Sequence, residues 1–248
     1  MTEAEFKLTR ALLDRRHRRT AGAFLAQGRK LVDEALRSGW TVRFVVATEA
    51  AARTVEVPGG LLRIAPPHRL ERLGTFEQGN ELIAVVDLPP PGDDGPLDAA
   101  ELVLALDGVA DPGNLGTIIR LADWFGVRRI WCAEGSVDAF NPKTVQASMG
   151  SVFRVEVFTV ALPVRLARAR GEGARVYAAD MAGAPVFEAE LQRPAVLMLG
   201  SESHGLSDAA RGQADQVLRV PGGGGAESLN VAMAAMALCM EFERRLQS

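Results

Sequence analysis

LVLALDGVADPGNLGTIIRLADWF, residues 102 to 125, passes from one kind of backbone to another. Leu102 to Leu106 is a short, continuous apolar run, which reads as a strand buried on both faces. Pro112-Gly113 forces a turn, and Asn114 is well placed to cap a helix running from Leu115 to Phe125. A buried strand followed at once by a helix is the unit from which parallel sheets are built.

The same order recurs downstream. Arg129 to Cys132, Arg175 to Ala178, Ala195 to Leu199 and Gln216 to Val220 read as strands, Pro142 to Met149 as a short helix, and Ser228 to Leu246 as a long closing helix. The expected fold is α/β, with a mainly parallel sheet covered on both faces. Ligands on such sheets bind at the carboxyl ends of strands, so the loops after Leu106, Leu199 and Val220 are the places to look. Upstream, LPPPGDDGPLDAA (Leu88 to Ala100) can continue neither a helix nor a central strand, and reads as a linker. Before it, Ala23 to Ser38 reads as a helix with Leu31, Ala35 and Leu36 on one face and Gly39 as its stop. Val42 to Ala47, Leu61 to Ile64 and Leu82 to Val86 read as strands. The expected domains are therefore a small α/β domain over 1–92 and a larger one over 98–248.

Composition narrows the function. The chain has 248 residues, with 28 basic against 31 acidic side chains and a net charge of −3. That balance argues mildly against a nucleic-acid partner, but Arg15, Arg16, His17, Arg18 and Arg19 form a concentrated basic cluster. Its plainer alternative is the solvated side of a first helix. No apolar run is long enough to span a bilayer and no signal peptide is evident, so a cytoplasmic protein is expected. Cys132 and Cys239 stand far apart, and His17, His68 and His204 are scattered. No spacing suits a protein-bound metal, and both cysteines read as core thiols.

The three loops hold the unusual residues. In the first, Asn114 is a helix cap or a ligand contact, and Arg120 sits among apolar Ile118, Ile119 and Leu121. The second follows Leu199: Gly200 lets a ligand approach the backbone, Glu202 is a ligand contact or a loop charge, and His204 lacks a sequence neighbour to orient it as a base. The third, Val220-Pro221 and four glycines, Gly222 to Gly225, leads to Ser228, Leu229 and Asn230. Its glycines suit a phosphate, yet no Gly-Lys-Ser/Thr follows. The chain also lacks a GxGxxG with a downstream acid, which disfavours a nucleotide-dependent oxidoreductase. Ser228 reads as a cap of the last helix. In that helix Leu229, Met233, Met236 and Met240 form one apolar stripe, fit for core or for a subunit interface.

Taken in order, DPGNLGTIIRLADWFGV, LMLGSESHGLS and VPGGGGAESLNVAMAAMAL resemble the three motifs of the SpoU (TrmH-type) RNA ribose methyltransferases of the SPOUT class. VDAFNPKTVQASMGSVFRVEVF resembles their middle segment, and FLAQGRKLVDEALRSG the L30e-like substrate-binding domain that many members carry. The resemblance implies a SPOUT domain with a C-terminal trefoil knot. It implies S-adenosyl-L-methionine as cofactor, held near Leu199, Gly200, Val220, Pro221 and Leu229. It implies a homodimer with the site near the interface. The residues it assigns to catalysis are Asn114, Arg120, Glu202, Ser228 and Asn230; the basic cluster with Arg15, Arg16, Arg18 and Arg19 is the expected RNA contact. The reaction is methylation of a ribose 2′-hydroxyl, with ribosomal RNA, 23S foremost, favoured over transfer RNA; a non-catalytic RNA-binding protein of the same fold is the alternative. The family proposal makes the Arg120 equivalent a proton acceptor, but arginine is a poor base and an electrostatic role is physically easier. Two positions depart from the family pattern: Gly222 stands where methionine is common, and Gln27 replaces a glutamate.

Overall fold

The computed structural model describes residues 1–74, 80–90, 92 and 94–246. In chain order it has α1 (Glu3–Ala11), α2 (Arg15–Ala21), β1 (Ala23–Gln27), α3 (Arg29–Arg37), β2 (Val42–Ala47), α4 (Glu49–Ala52), β3 (Leu62–Ile64), α5 (Pro67–Glu71) and β4 (Leu82–Asp87). There follow β5 (Leu102–Asp107), α6 (Pro112–Trp124), β6 (Arg129–Ala133), α7 (Pro142–Ser148), β7 (Glu156–Val160) and α8 (Leu162–Gly171). The chain ends with β8 (Arg175–Pro185), β9 (Ala195–Gly200), α9 (Asp208–Arg211), β10 (Gln216–Arg219) and α10 (Val231–Leu246). Two compact units result: Met1–Gly92 with Asp138–Arg154, and Asp93–Val137 with Val155–Ser248. Residues 138–154, read from sequence as part of the second domain, thus cluster with the first. Of the Leu88 to Ala100 linker, Pro91 and Asp93 lie outside the described residues.

The first unit is a four-stranded mixed sheet in the order β1-β4-β2-β3, with only β2 and β3 parallel. The helix expected over Ala23 to Ser38 is instead a strand and a helix. All five residues of β1 are buried and pair antiparallel with β4. Burial on both faces of a sheet suits AFLAQ better than one stripe of a helix does. Gly28 then takes φ 89° and ψ 158°, outside helical geometry, and α3 starts after it. One face of the sheet packs on Phe6, Leu12, Leu70 and Leu73. Phe24 meets Phe140 and Phe153 with ring centroids 4.8 and 6.0 Å apart, and Phe153 meets Trp40 edge-on at 5.4 Å. This aromatic packing explains why 138–154 belongs here.

Arg18 joins the same unit from α2. It is 2% exposed. Its guanidinium donates to Asp138 at 3.0 and 2.7 Å and to the Leu12 and Leu13 carbonyls at 2.9 Å each. Arg18 is therefore removed from the candidate RNA contacts: it is buried and its donors are engaged. Arg15, Arg16 and Arg19 remain exposed.

The second unit is a six-stranded parallel sheet in the order β10-β8-β9-β5-β6-β7. Val103, Ala105, Val196 and Met198 face α8 and α9 through Leu162, Leu166 and Ala210. The alternate residues Leu104, Leu106, Leu197 and Leu199 are buried as well. There α6 and α10 pack together, and Phe242 of α10 meets Tyr177 of β8 edge-on at 5.3 Å. β7 and α8 went unread in the sequence. β8 also runs seven residues past the expected end at Ala178.

Two helix starts differ from expectation. Asp111, not Asn114, caps α6, accepting from the Asn114 amide at 2.8 Å with Pro112 in the first turn. The closing helix begins at Val231, not Ser228. Asn230 supplies its cap, its Oδ1 accepting from the Ala232 and Met233 amides at 2.9 and 3.4 Å. Among the described residues, no helix is long and apolar enough to cross a membrane.

Candidate active site

Parallel pairing fixes the site. β5 and β9 are neighbours with Asp107 opposite Gly200, so the first two loops leave the sheet side by side. The Ser207 amide donates to Asp107 at 2.7 Å, tying the far end of the second loop to the start of the first. Between them, Ser201 and Gly205 close a tight turn with reciprocal backbone bonds of 3.0 and 2.9 Å. Gly200 is needed for that turn, and it also lines the adjoining cleft. A Cβ there would lie 2.1 Å from the Gly205 carbonyl carbon and 2.4 Å from the Leu206 nitrogen.

Asn114, freed from capping, joins the three loops. Its Nδ2 donates to Glu202 Oε1, and its Oδ1 accepts from Asn230 Nδ2 at 3.0 Å. The orientation of both amides follows from the ends of the chain. An ionised carboxylate only accepts, so Asn114 must turn its NH2 toward Glu202 and its oxygen toward Asn230. Asn230 must then offer its NH2, leaving its oxygen for the amides at the start of α10. Three residues from three loops thus form one directional hydrogen-bond chain from Glu202 to a helix terminus.

Beside this chain lies a cleft of about 260 Å³, lined by Leu199, Gly200, Leu218, Val220, Ser228 and Leu229 among others. Ala179, Asp180, Met181 and Arg219 line it too, and sequence reading missed all four. The Ala182 amide and the Arg211 guanidinium hold the Asp180 carboxyl below the usual range. Ser228 and Leu229 are exposed at the cleft; Pro221 is exposed in the glycine-rich loop but is not part of the lining. His204 is exposed and bonds Ser203 Oγ at 2.7 Å. Arg120 is not brought to the cleft. It lies on the exposed face of α6 with Thr117 and Trp124, and among the described residues no acid or carbonyl pairs with it.

A larger open hollow of about 1010 Å³ in the first unit is walled by Glu49, Glu71, Glu81 and apolar neighbours. It gathers none of the three motifs, so the smaller cleft is the candidate. Among the described residues, no group of three or more His, Cys, Asp or Glu is arranged to hold a metal ion. Cys132 and Cys239 are core thiols, pushed up to about 12 by burial.

Comparison with known proteins bears on this site. Residues 101–240 match the SpoU rRNA Methylase family, and residues 4–82 the MRM3-like substrate binding domain. The chain is similar to the 23S rRNA (guanosine(2553)-2′-O)-methyltransferase RlmP of Bacillus subtilis, 33% identical over 226 residues and 90% of each chain. It is also similar to a 23S rRNA (uridine(2479)-2′-O)-methyltransferase of Streptomyces viridochromogenes, 33% identical over 98% of this chain and 90% of that one. The solved structure of the SpoU methyltransferase AviRb from S. viridochromogenes, in complex with AdoMet, superposes with a TM-score of 0.88. It is 32% identical and covers 100% of this chain and 99% of that one.

Proposed function

This chain belongs to the SpoU rRNA methylase family, and on that premise we propose that it methylates a ribose 2′-hydroxyl in RNA with S-adenosylmethionine as donor. The observation that carries the reading is the Glu202–Asn114–Asn230 chain, which joins three loops beside one cleft. Ribosomal RNA is the substrate class, as the named relatives act on 23S rRNA, and the cytoplasm is its place. The family match and the intact polar chain favour this over the non-catalytic alternative.

The cleft suits the cofactor. Leu199, Leu218 and Leu238 offer apolar walls for a nucleoside and a sulfur centre, and the backbone at Leu199, Gly200, Val220 and Leu229, with Pro221 next to Val220 in the chain, is suited to polar contacts at the strand ends. S-adenosylmethionine supplies an electrophilic methyl carbon that needs no metal to react. The protein must align a ribose oxygen and handle the hydroxyl proton. Asn230 and Ser228 are placed to position the ribose and its phosphate. Glu202 holds Asn114 in register with both. Arg120, exposed and with no acid or carbonyl partner among the described residues, is suited to grip an RNA phosphate and to stabilise the developing alkoxide. Arg15, Arg16 and Arg19 on the domain over 1–92 are suited to phosphate contacts with folded RNA.

A homodimer is part of this reading. Met233, Met236 and Met240, with Leu229 before them, leave an apolar stripe exposed on α10, and Trp124 of α6 is 82% exposed. A stripe of that kind fits a subunit interface. A trefoil knot also belongs to the proposal, supported by the return of β10 beside β8 and the walls that residues 179–181, 199–202, 218–220 and 228–229 give one cleft.

The test is to map ribose methylation in total RNA from a deletion strain and its parent. One 2′-O-methyl mark in 23S rRNA should vanish, and the purified protein should restore it with labelled cofactor. An unchanged map, with no transfer to RNA from the deletion strain, would reject the reading.

A further inference from the structure

Three charged residues line the cleft: Asp180, Glu202 and Arg219. Both acids are engaged. Asp180 accepts from the Ala182 amide at 2.9 Å and pairs with Arg211, and Glu202 accepts from Asn114. Arg219 differs. It is the last residue of β10 and half-buried, yet among the described residues no carboxylate, carbonyl or ring stands against its guanidinium.

That is unusual for this protein. The other arginines drawn below its surface have partners. Arg18, Arg129, Arg165 and Arg193 bind acids, and Arg175 lies over the Tyr177 ring at 5.9 Å. A half-buried cation has lost part of its hydration, and a partner must offset that loss. The cleft wall is where a ligand can supply one.

Resting on the S-adenosylmethionine reading above, we propose that Arg219 receives the carboxylate of the cofactor's methionine part. That carboxylate is the one anionic group of the molecule, whose sulfonium and ammonium are cations. The guanidinium fork matches a carboxylate with two parallel N–H···O bonds. A phosphate of RNA carries the same sign of charge, but the neighbouring walls at Leu199, Leu218 and Leu238 are apolar. They suit a compact nucleoside ligand better than a ribose–phosphate chain.

The experiment is isothermal titration calorimetry on the full-length chain and its Arg219→Gln variant. Three ligands are compared: S-adenosylmethionine, S-adenosylhomocysteine and 5′-methylthioadenosine, which keeps the nucleoside and sulfur but lacks the amino-acid part. The variant should bind the first two about tenfold more weakly and the third within about twofold of the unaltered chain, as loss of a charge-assisted hydrogen bond predicts. Arg219→Lys should recover part of the loss. Equal weakening for all three ligands would make Arg219 a shaper of the cleft and overturn the proposal. Unchanged affinity for all three, with weaker RNA binding, would assign it to phosphate and overturn it too. If the unaltered chain binds none of the three, the S-adenosylmethionine reading itself fails; if it binds them and the variant does not discriminate, only the assignment of Arg219 falls.

Discussion

Asn114 matters because Asp111 relieves it of the cap. With its backbone amide held by Asp111, its side chain is left to bridge Glu202 and Asn230. Removing the bridge leaves the strand-end lining of the cleft in place but frees the Glu202 and Asn230 side chains from each other. Asn114→Ala should therefore lower kcat by about a hundredfold, the scale of a misplaced reacting group. S-adenosylhomocysteine affinity should change less than about threefold, since the cleft is not lined by Asn114. Arg120→Ala should separate the two effects further. Its turnover should fall by about a hundredfold or more, as when an oxyanion donor is removed, with cofactor affinity intact. Single-turnover methyl transfer and calorimetry on the same preparations check both. If either variant loses cofactor binding, its residue supports the cleft rather than the reaction.

At the scale of elements, sequence patterns revealed those whose chemistry is uniform and missed those whose chemistry is mixed. β5, β9 and the body of α6 were legible because their apolar runs match their burial. β7, at the sheet edge, is partly exposed and carries Glu156 and Thr159, so no clear pattern marked it. α8 is rich in arginine, yet Arg165 is buried over Trp131, 3.9 Å from the ring centroid, and paired with Asp94 and Glu172. A partner distant in sequence cannot be seen from the helix itself. The same blindness affected α2, where four arginines look alike. Arg18 is buried on Asp138, more than a hundred residues away, while Arg15, Arg16 and Arg19 are exposed. Arg16→Ala should thus weaken RNA binding and lower its salt dependence by about 0.7 in log–log slope, with little change in thermal stability. Arg18→Ala should do the reverse, costing about 3 kcal/mol by stranding the half-buried Asp138 carboxylate and two carbonyls. Filter binding across a salt series and thermal melts separate them; a slope loss on Arg18→Ala would return that residue to the RNA contacts.

The last helix carries an acid-sensitive device. Arg244 first, then Arg245, hold the Glu241 carboxyl down from 4.5 to about 2. A carboxyl depressed by folding stabilises the protein above its unfolded value and loses that contribution as pH falls toward the folded one. The contribution should therefore disappear between about pH 4.5 and 2. Glu241→Gln should lower the melting temperature at pH 7 and narrow its gap to the unaltered protein as the pH drops through that window. A gap that stays constant would show that the ion pairs contribute nothing to folding.

For the whole molecule, the net charge of −3 misled less than it first suggests. Many of the basic groups are consumed internally, so the sum says little about which face meets RNA. The second unit also leaves an apolar face exposed. Met233, Met236 and Met240 are 51, 37 and 56% exposed. At spacings of three and four they share one helix face, and Trp124 on the helix packed against α10 is exposed as well. Large apolar side chains grouped in this way are costly to leave in water, at about 25 cal/mol for each Å², and a second copy of the chain is the partner the proposed function calls for. The unaltered protein should then sediment at twice 26.5 kDa. Met240→Glu would place a charge in the interface of each copy without disturbing the helix, because glutamate is a good helix former. It should raise the dimer dissociation constant by about a hundredfold, from the cost of burying unpaired charge. Sedimentation velocity over a concentration series measures this, with circular dichroism confirming that α10 is still formed. An unaltered protein that stays monomeric at tens of micromolar, or a Met240→Glu variant that dimerises as well as its parent, would remove this face of α10 from the interface.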